Sequence, residues 1–341
     1  MRNSISVHDA VGTVLCHDIT RIVPGEYKGP AYKKGHIITE DDIPILLNLG
    51  KEHLYVLELM SDYVHEDDAA ERIALAAAGP GLKLTEHSEG RVDMIAEFTG
   101  LLKINIKALT RLNSLGEIIF GTLHSGHLVS SGRAVAGTRI IPLVIEDEKI
   151  RAAEALCRDH FPLIQVKPFR SCRVGMVTTG SEIYHGRIED KFGPVVKKKF
   201  QELGSRVIRQ IMVSDDRSMT VDAICTLISE GAEMIVVTGG MSVDPDDQTP
   251  AGIRAAGGDV VIYGAPTFPG AMFMLAYIGD VPVMGLPGCV MYSRTTIFDL
   301  VVPRILAGES VTREDIARLG HGGFCAGCAE CRYPICGFGK G

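Results

Sequence analysis

From residue 171 onward the apolar residues come in short β-branched runs separated by stretches of helical spacing. Residues 173–177 (RVGMV), 206–213 (RVIRQIMV) and 234–237 (MIVV) are compact enough to be buried strands, and each stops at a polar or glycine-rich loop. Between them 194–203 and 219–229 read as helices, and a helix to 256 and a strand at 260–263 continue the alternation. Alternation at this short spacing predicts an α/β domain with a doubly wound, mainly parallel sheet, because parallel neighbours need a crossover between them. The first half of the chain is mixed and β-rich. Residues 6–59 are rich in turns, with a helix from 39 to 49 opened by Thr39-Glu40-Asp41-Asp42 and a strand at 52–57. A helix at 66–78 ends at Gly79-Pro80-Gly81, and residues 91–106 and 118–145 alternate β-branched residues with Gly and Ser. A helix at 147–160 and an extended stretch at 162–168 follow. The expected organisation is a mixed segment at 1–60, a helix plus β-rich module at 61–165, the α/β domain at 171–310 and a tail at 311–341.

The loops of the α/β stretch carry the chemistry. Thr179-Gly180-Ser181-Glu182, Asp215-Asp216 and Thr238-Gly239-Gly240 through Asp247 all follow strands, so a parallel sheet gathers them at its carboxyl edge. Ser242, Asp244, Asp246 and Asp247 fall close together after the paired glycines. Backbone N–H groups there suit an anion, and clustered carboxylates suit a hard cation. Thr249-Pro250 reads as a helix cap with Pro at the first helical position. Phe268-Pro269-Gly270 precedes an apolar run at 272–278, and Gly285-Leu286-Pro287-Gly288-Cys289 precedes a helix at 292–306 whose first N–H groups are expected to be open to an anion.

Composition narrows the choices. The chain has 341 residues, 46% hydrophobic, enough for two or three domains with real cores. A net charge of −7 and the lack of a long basic run argue against nucleic acid as a partner. The N-terminus lacks signal-peptide character and no apolar run is of membrane-spanning length, so a cytoplasmic protein with no membrane partner is expected. Of nine cysteines, Cys16, Cys157, Cys172, Cys225 and Cys289 stand singly and read as small buried hydrophobes. His8, His17, His36 and His53 show no metal-ligand spacing. His124-Ser125-Gly126-His127 reads as a ligand-facing loop or, more simply, as a polar hairpin tip.

Taken in order and at their distances, Thr179-Gly180-Ser181-Glu182, Asp215-Asp216, Thr238-Gly239-Gly240-Met241-Ser242 through Asp247, Pro269-Gly270 and Leu286-Pro287-Gly288 resemble the molybdopterin-binding domain of the MoeA, MogA and gephyrin family. Residues 9–18 (DAVGTVLCHD) resemble the start of the MoeA amino-terminal region, so the likeness is to a molybdopterin molybdotransferase more than to the stand-alone adenylyltransferases. The resemblance implies an enzyme of molybdenum cofactor biosynthesis. It would bind molybdopterin or its adenylylated form and insert molybdate with Mg²⁺, releasing AMP. Its partners would be a pterin, a nucleotide, and a molybdoenzyme or other cofactor-assembly proteins, with a homodimer as the expected assembly. On this likeness Asp247 coordinates Mg²⁺ or positions water, Glu182 and Asp216 supply the other acids, and Thr179, Gly180, Ser181, Thr238, Gly239, Gly240, Ser242, Pro269, Gly270, Pro287 and Gly288 hold pterin and phosphate.

The chain also departs from the family pattern. Where the family has Lys-Pro-Gly-Lys-Pro, this sequence has Phe268-Pro269-Gly270-Ala271-Met272, so two cations expected beside phosphate are absent. Leu-Pro-Gly-Asn-Pro-Val-Ser is replaced by 286–292 (LPGCVMY), and 24–29 (PGEYKG) stands in the place of Ser-Ala-Met-Asp-Gly-Tyr-Ala. Two further readings stay open: a non-catalytic molybdopterin carrier or sensor, and a CinA-like nucleotide pyrophosphatase on the same fold.

The chain ends in FCAGCAECRYPICGFGKG, with Cys325, Cys328, Cys331 and Cys336 spaced C-x2-C-x2-C-x4-C. Thiolates at this spacing in a reducing compartment favour Zn²⁺ or an iron–sulfur cluster, and little else in the segment promises order. The four are therefore expected to converge on one point, with His321 as a substitute ligand. Disulfides formed in air and a free tail are the alternatives.

Overall fold

The computed structural model describes residues 3–23, 27–56, 62–242 and 247–341. The chain divides into two compact units. One takes the residues up to Ile95 with Asn105–Thr122 and Ala134–Ile164, and the other takes Ala96–Ile104, Leu123–Arg133 and everything from Gln165.

The first unit begins with two antiparallel pairs, Asn3–Ser6 with His53–Val56 and Ile19–Val23 with Tyr27–Tyr32. Val7, Leu15, Ile19, Ile38, Leu46 and Leu54 form the core between them. Residues 24–26 and the 57 end of the predicted strand lie outside the described residues. The helix expected at 39–49 runs Asp42–Asn48. Its entry is closed by Asp42, whose Oδ2 accepts from Thr39 N at 2.9 Å, Thr39 Oγ1 at 2.8 Å and His36 Nε2 at 2.8 Å. Helix Glu66–Ala77 buries Ala69, Ala70, Ile73, Ala74 and Ala77, a single stripe at helical spacing, and it packs on Ala134–Ile140 of a four-stranded antiparallel sheet. A helix at Ile106–Asn113 lies between the two stretches read as β-rich, 91–106 and 118–145. Asn105 caps it, its Oδ1 accepting from Ala108 N at 3.1 Å.

In the second unit six strands form one sheet: β1 (Arg173–Thr179), β2 (Arg206–Val213), β3 (Met234–Thr238), β4 (Asp259–Tyr263), β5 (Met274–Ile278) and β6 (Val281–Leu286). Their order is β2-β1-β3-β6-β5-β4, parallel from β2 to β6 and antiparallel at β5 and β4. Every residue of β3 is buried. Met234 and Val236 join the core on one face and Ile235 and Val237 the core on the other, which is why this strand reads as a continuous apolar run rather than an alternating one. The helices longer than a single turn are α1 (Phe192–Glu202), α2 (Arg217–Ser229), α3 (Thr249–Ala255), α4 (Ile297–Leu306) and α5 (Arg313–Arg318), and Ser181–Tyr184 forms one further turn after β1.

The helix expected at 292–306 begins later, at Ile297. A turn at Cys289–Tyr292 is separated from α4 by residues 293–296. A capping box closes α4: Thr296 Oγ1 accepts from Phe298 N at 3.2 Å and Asp299 Oδ2 accepts from Thr296 N at 2.8 Å. At the start of α4 the N–H groups of Thr296 and Phe298 are thus engaged by the chain's own side chains. Among the described residues no helix is long and apolar enough to cross a membrane.

Candidate functional site

The carboxyl ends of β1, β3 and β6 and the 268–272 loop surround a cleft of about 990 Å³. Of the predicted site residues, Thr179, Glu182, Thr238, Gly239, Gly240, Ser242, Asp247, Gly270, Pro287 and Gly288 line it. Gly180, Ser181, Asp216 and Pro269 do not. Ser181 N donates to Asp215 Oδ2 at 2.8 Å and its hydroxyl lies 2.7 Å from that of Ser214. Asp216 caps α2, its Oδ1 accepting from Met219 N at 2.9 Å, and hydrogen bonds from Ser218 and Met219 hold its carboxyl below the ordinary range. The acidic pair after β2 therefore builds the rim without facing the cleft, and Asp244 and Asp246 lie outside the described residues.

The rim is fixed by threonines and one glycine. Gly239 has φ +87°, and a Cβ there would stand 2.2 Å from the carbonyl oxygen of Thr179, so the ends of β1 and β3 approach this closely only because the side chain is missing. Thr179 Oγ1 donates to Thr238 O at 3.3 Å, and Thr249 Oγ1 donates to Gly239 O at 2.8 Å. Thr249 thus ties α3 back to the glycine turn. It does not act as the expected cap, a position held by Gln248, whose side chain makes no capping hydrogen bond. Gln210 Nε2 donates to Thr178 Oγ1 at 2.8 Å and Asp190 Oδ2 at 2.6 Å, while Asp190 Oδ1 accepts from Phe192 N at 2.9 Å.

The walls are largely apolar, with Phe192, Met241, Phe268, Met272, Met291 and Tyr292 among them. Tyr292 is 81% exposed and Phe268 58%, so aromatic faces remain available to a flat ring. Glu182, Glu189, Asp190 and Asp247 bring negative charge to the lining, and Lys191 brings a cation. Sequence reasoning missed Lys191. It sits just before α1, far along the chain from the 268–272 segment where the family's lysines are absent. Among the described residues no three His, Cys, Asp or Glu side chains gather closely enough to hold a metal ion. The Mg²⁺ expected at Asp247 finds no preformed cage among the described residues, although Mg²⁺ is often held by one carboxylate together with substrate phosphates.

The same finding gives the metal reading of the tail no support. Cys325, Cys328, Cys331 and Cys336 line one cavity of about 450 Å³, but they do not converge as a ligand set, and His321 is not part of the lining. The tail is ordered by packing instead. Phe268 N donates to Gly323 O at 2.7 Å, Cys325 N donates to Phe268 O at 2.8 Å, Phe338 is 4% exposed, and the hydroxyl of Tyr333 donates to Asp299 O at 2.9 Å. His127, from the loop read as a hairpin tip, is buried and donates through Nε2 to the carbonyl of Pro334. Of the five single cysteines only Cys157 and Cys172 are buried, while Cys225 is exposed.

A polar cluster in the first unit was also missed, because its members are scattered along the chain. Lys34 Nζ donates to Asp67 Oδ2 at 2.8 Å and to His65 Nδ1 at 3.0 Å, and His65 Nε2 donates to Cys16 O at 2.8 Å, which fixes Nδ1 as the acceptor. Lys34 and Asp67 face a cavity of about 620 Å³ that His17 and His87 also line. Burial lowers the pKa of His17, helped by Lys51, and its Nδ1 has no partner among the described residues.

An open α/β sheet with its polar loops gathered around a cleft at the strand ends is a small-molecule-binding architecture. Residues 175–307, the stretch that supplies the cleft, match the family model described as a probable molybdopterin binding domain, and residues 4–58 match a domain of unknown function. A CinA-like protein of Mycobacterium sp. (strain MCS) is 34% identical over 94 residues, 27% of this chain and 22% of that protein. The CinA-like protein of Mycobacterium tuberculosis (strain ATCC 25618 / H37Rv) is 35% identical over 80 residues, 23% and 18% of the two chains. The chain thus spans about a fifth of the length of the curated relatives it matches. Among solved structures, the molybdopterin biosynthesis MoeA protein from Pyrococcus horikosii is 19% identical with a TM-score of 0.34, over 72% of this chain and 79% of its own. The tungsten cofactor synthesizing protein MoaB from Pyrococcus furiosus is 21% identical with a TM-score of 0.33, over 42% and 98%.

Proposed function

We propose that the second unit binds molybdopterin or its adenylylated form in the cleft, and that the protein serves molybdenum cofactor biosynthesis by inserting molybdate with release of AMP. One observation carries this reading: the residues that face the cleft come from the same 175–307 stretch that matches a probable molybdopterin binding domain. Aromatic and methionine side chains offer a slot for a flat ring. Gly239, Gly240 and Ser242 offer donors to an anion, and Lys191 supplies a cation in place of the lysines absent at 268–272. Asp247 is the acid assigned to the bond-breaking step, where a carboxylate orients water or shares a cation with phosphate.

The matches to CinA-like proteins favour a second reading, a nucleotide pyrophosphatase using the same acids on a soluble nucleotide. Purified protein given adenylylated molybdopterin, molybdate and Mg²⁺ should release AMP, and Asp247→Ala should abolish that release with the fold intact by circular dichroism. Undiminished turnover in the variant removes Asp247 from the mechanism. Pterin binding without AMP release in the wild type makes the protein a carrier, and hydrolysis of a soluble nucleotide without pterin binding gives the CinA-like reading.

A further inference from the structure

We infer that Cys331, with Cys328 as its resolving partner, is a thiol–disulfide exchange site that reacts with low-molecular-weight disulfides. Both residues are exposed, whereas Cys325 and Cys336 are half-buried, and all four thiols line one cavity. Cys328-Ala-Glu-Cys331 has the two-residue spacing at which paired cysteines exchange disulfides. The backbone that presents them is held by the pairing of Phe324 with Phe268, by burial of Phe338 and by the Tyr333 hydrogen bond, so the thiols need no metal to be placed.

The surroundings favour Cys331 as the attacking group. Its Sγ lies 3.3 Å from Thr295 Oγ1. That hydroxyl is placed to donate to the sulfur once it is ionised, a contact that favours the thiolate at this position. Burial pushes Cys157 and Cys172 up to about 11, and those thiols are inert by comparison.

In the first step the Cys331 thiolate attacks one sulfur of R–S–S–R, forming the mixed disulfide Cys331–S–S–R and expelling RS⁻. Cys328 then gives up its proton to solvent and attacks the Cys331 sulfur, expelling the second RS⁻. Two protein thiols become one disulfide, the external disulfide becomes two thiols, and the two protons released by the protein are taken up by the leaving thiolates.

The test uses the full chain, purified anaerobically and incubated over a range of oxidised to reduced glutathione, then acid-quenched, alkylated and mapped by peptide mass spectrometry. Wild type should form a Cys328–Cys331 disulfide. Cys328→Ser should accumulate glutathione on Cys331 about tenfold above wild type, and Cys331→Ser should show neither product. Cys225, exposed and without a companion, is the internal reference and should react several times more slowly than Cys331. Equal rates at Cys225 and Cys331, absence of a tail disulfide at every ratio, or a stoichiometric metal that shields all four thiols until chelated would each overturn the assignment. The readout is the thiols themselves and does not depend on what the cleft binds.

Discussion

The cleft and the cysteine-lined cavity share a wall, since Phe268 lines both, yet they are built in opposite ways. At the cleft the backbone does the positioning. Parallel strands end side by side, a glycine lets two of them touch, and the functional side chains arrive wherever the loops leave the sheet. At the tail there is no regular element to do this. Four cysteines at ligand spacing sit on a strap held by single distant contacts, and they fail to converge. Ligand spacing predicts geometry only where the intervening backbone has a known shape.

The largest test of that contrast compares two glycines of positive φ. In Gly239→Ala the new Cβ meets a strand carbonyl at 2.2 Å, so β1 and β3 must part, whereas at Gly327 in the tail, φ +65°, nothing lies within 4 Å. The expected costs are about 4 kcal/mol for Gly239→Ala, with loss of pterin binding, and about 1 kcal/mol for Gly327→Ala from backbone strain alone. Urea unfolding of both variants decides it, and similar costs would mean that the rim is no more rigidly specified than the tail.

Much of the rim was legible because its signals are local. The runs at 173–177 and 234–237 announce buried strands, and the loops after them had to share one edge once the sheet was parallel. Other local signals were present and outweighed. Thr296 and Asp299 have capping-box spacing, but the apolar content of 292–306 read as one helix. Asp216 stands where a helix N-cap belongs, but its place in an acidic loop suggested chemistry. The order of the tail was not legible at all. His127 and Pro334 are 207 positions apart, and no periodicity or motif links them. Lys191 reached the cleft unnoticed for a similar reason, since a lone lysine before a helix looks like any solvated charge.

The His127 anchor makes the tail side of the comparison sensitive to acid. Burial, with Lys340 next in effect, lowers its pKa from 6.5 to about 4. The unfolded chain therefore binds a proton between these values that the folded chain refuses. This contribution to stability is intact above pH 6.5 and is lost as pH falls toward 4, amounting to about 2 kcal/mol at pH 5. Unfolding free energies from urea titrations at pH 7.5 and pH 5 should separate further in wild type than in His127→Gln by about that amount. Equal separations would show that the imidazole is not desolvated, and the anchor would then be no more than a surface contact.

The smallest expected effect is also the most specific, because it joins the tail to a defect in α4. Pro303 lies inside that helix and has no N–H to return to the carbonyl of Asp299 four residues earlier. The hydroxyl of Tyr333 donates to that carbonyl at 2.9 Å, so the tail supplies a hydrogen bond that the helix cannot make for itself. Tyr333→Phe should cost about 1 kcal/mol, the usual net value of such a bond. The decisive measurement is a double-mutant cycle with Pro303→Ala. Alanine restores an N–H at position 303, the Asp299 carbonyl gains a helical donor, and Tyr333→Phe should then cost measurably less. If the cost is the same in both backgrounds, Tyr333 stabilises the tail through ring packing alone. The idea that the strap is fastened to a gap in the helix would then have to be abandoned.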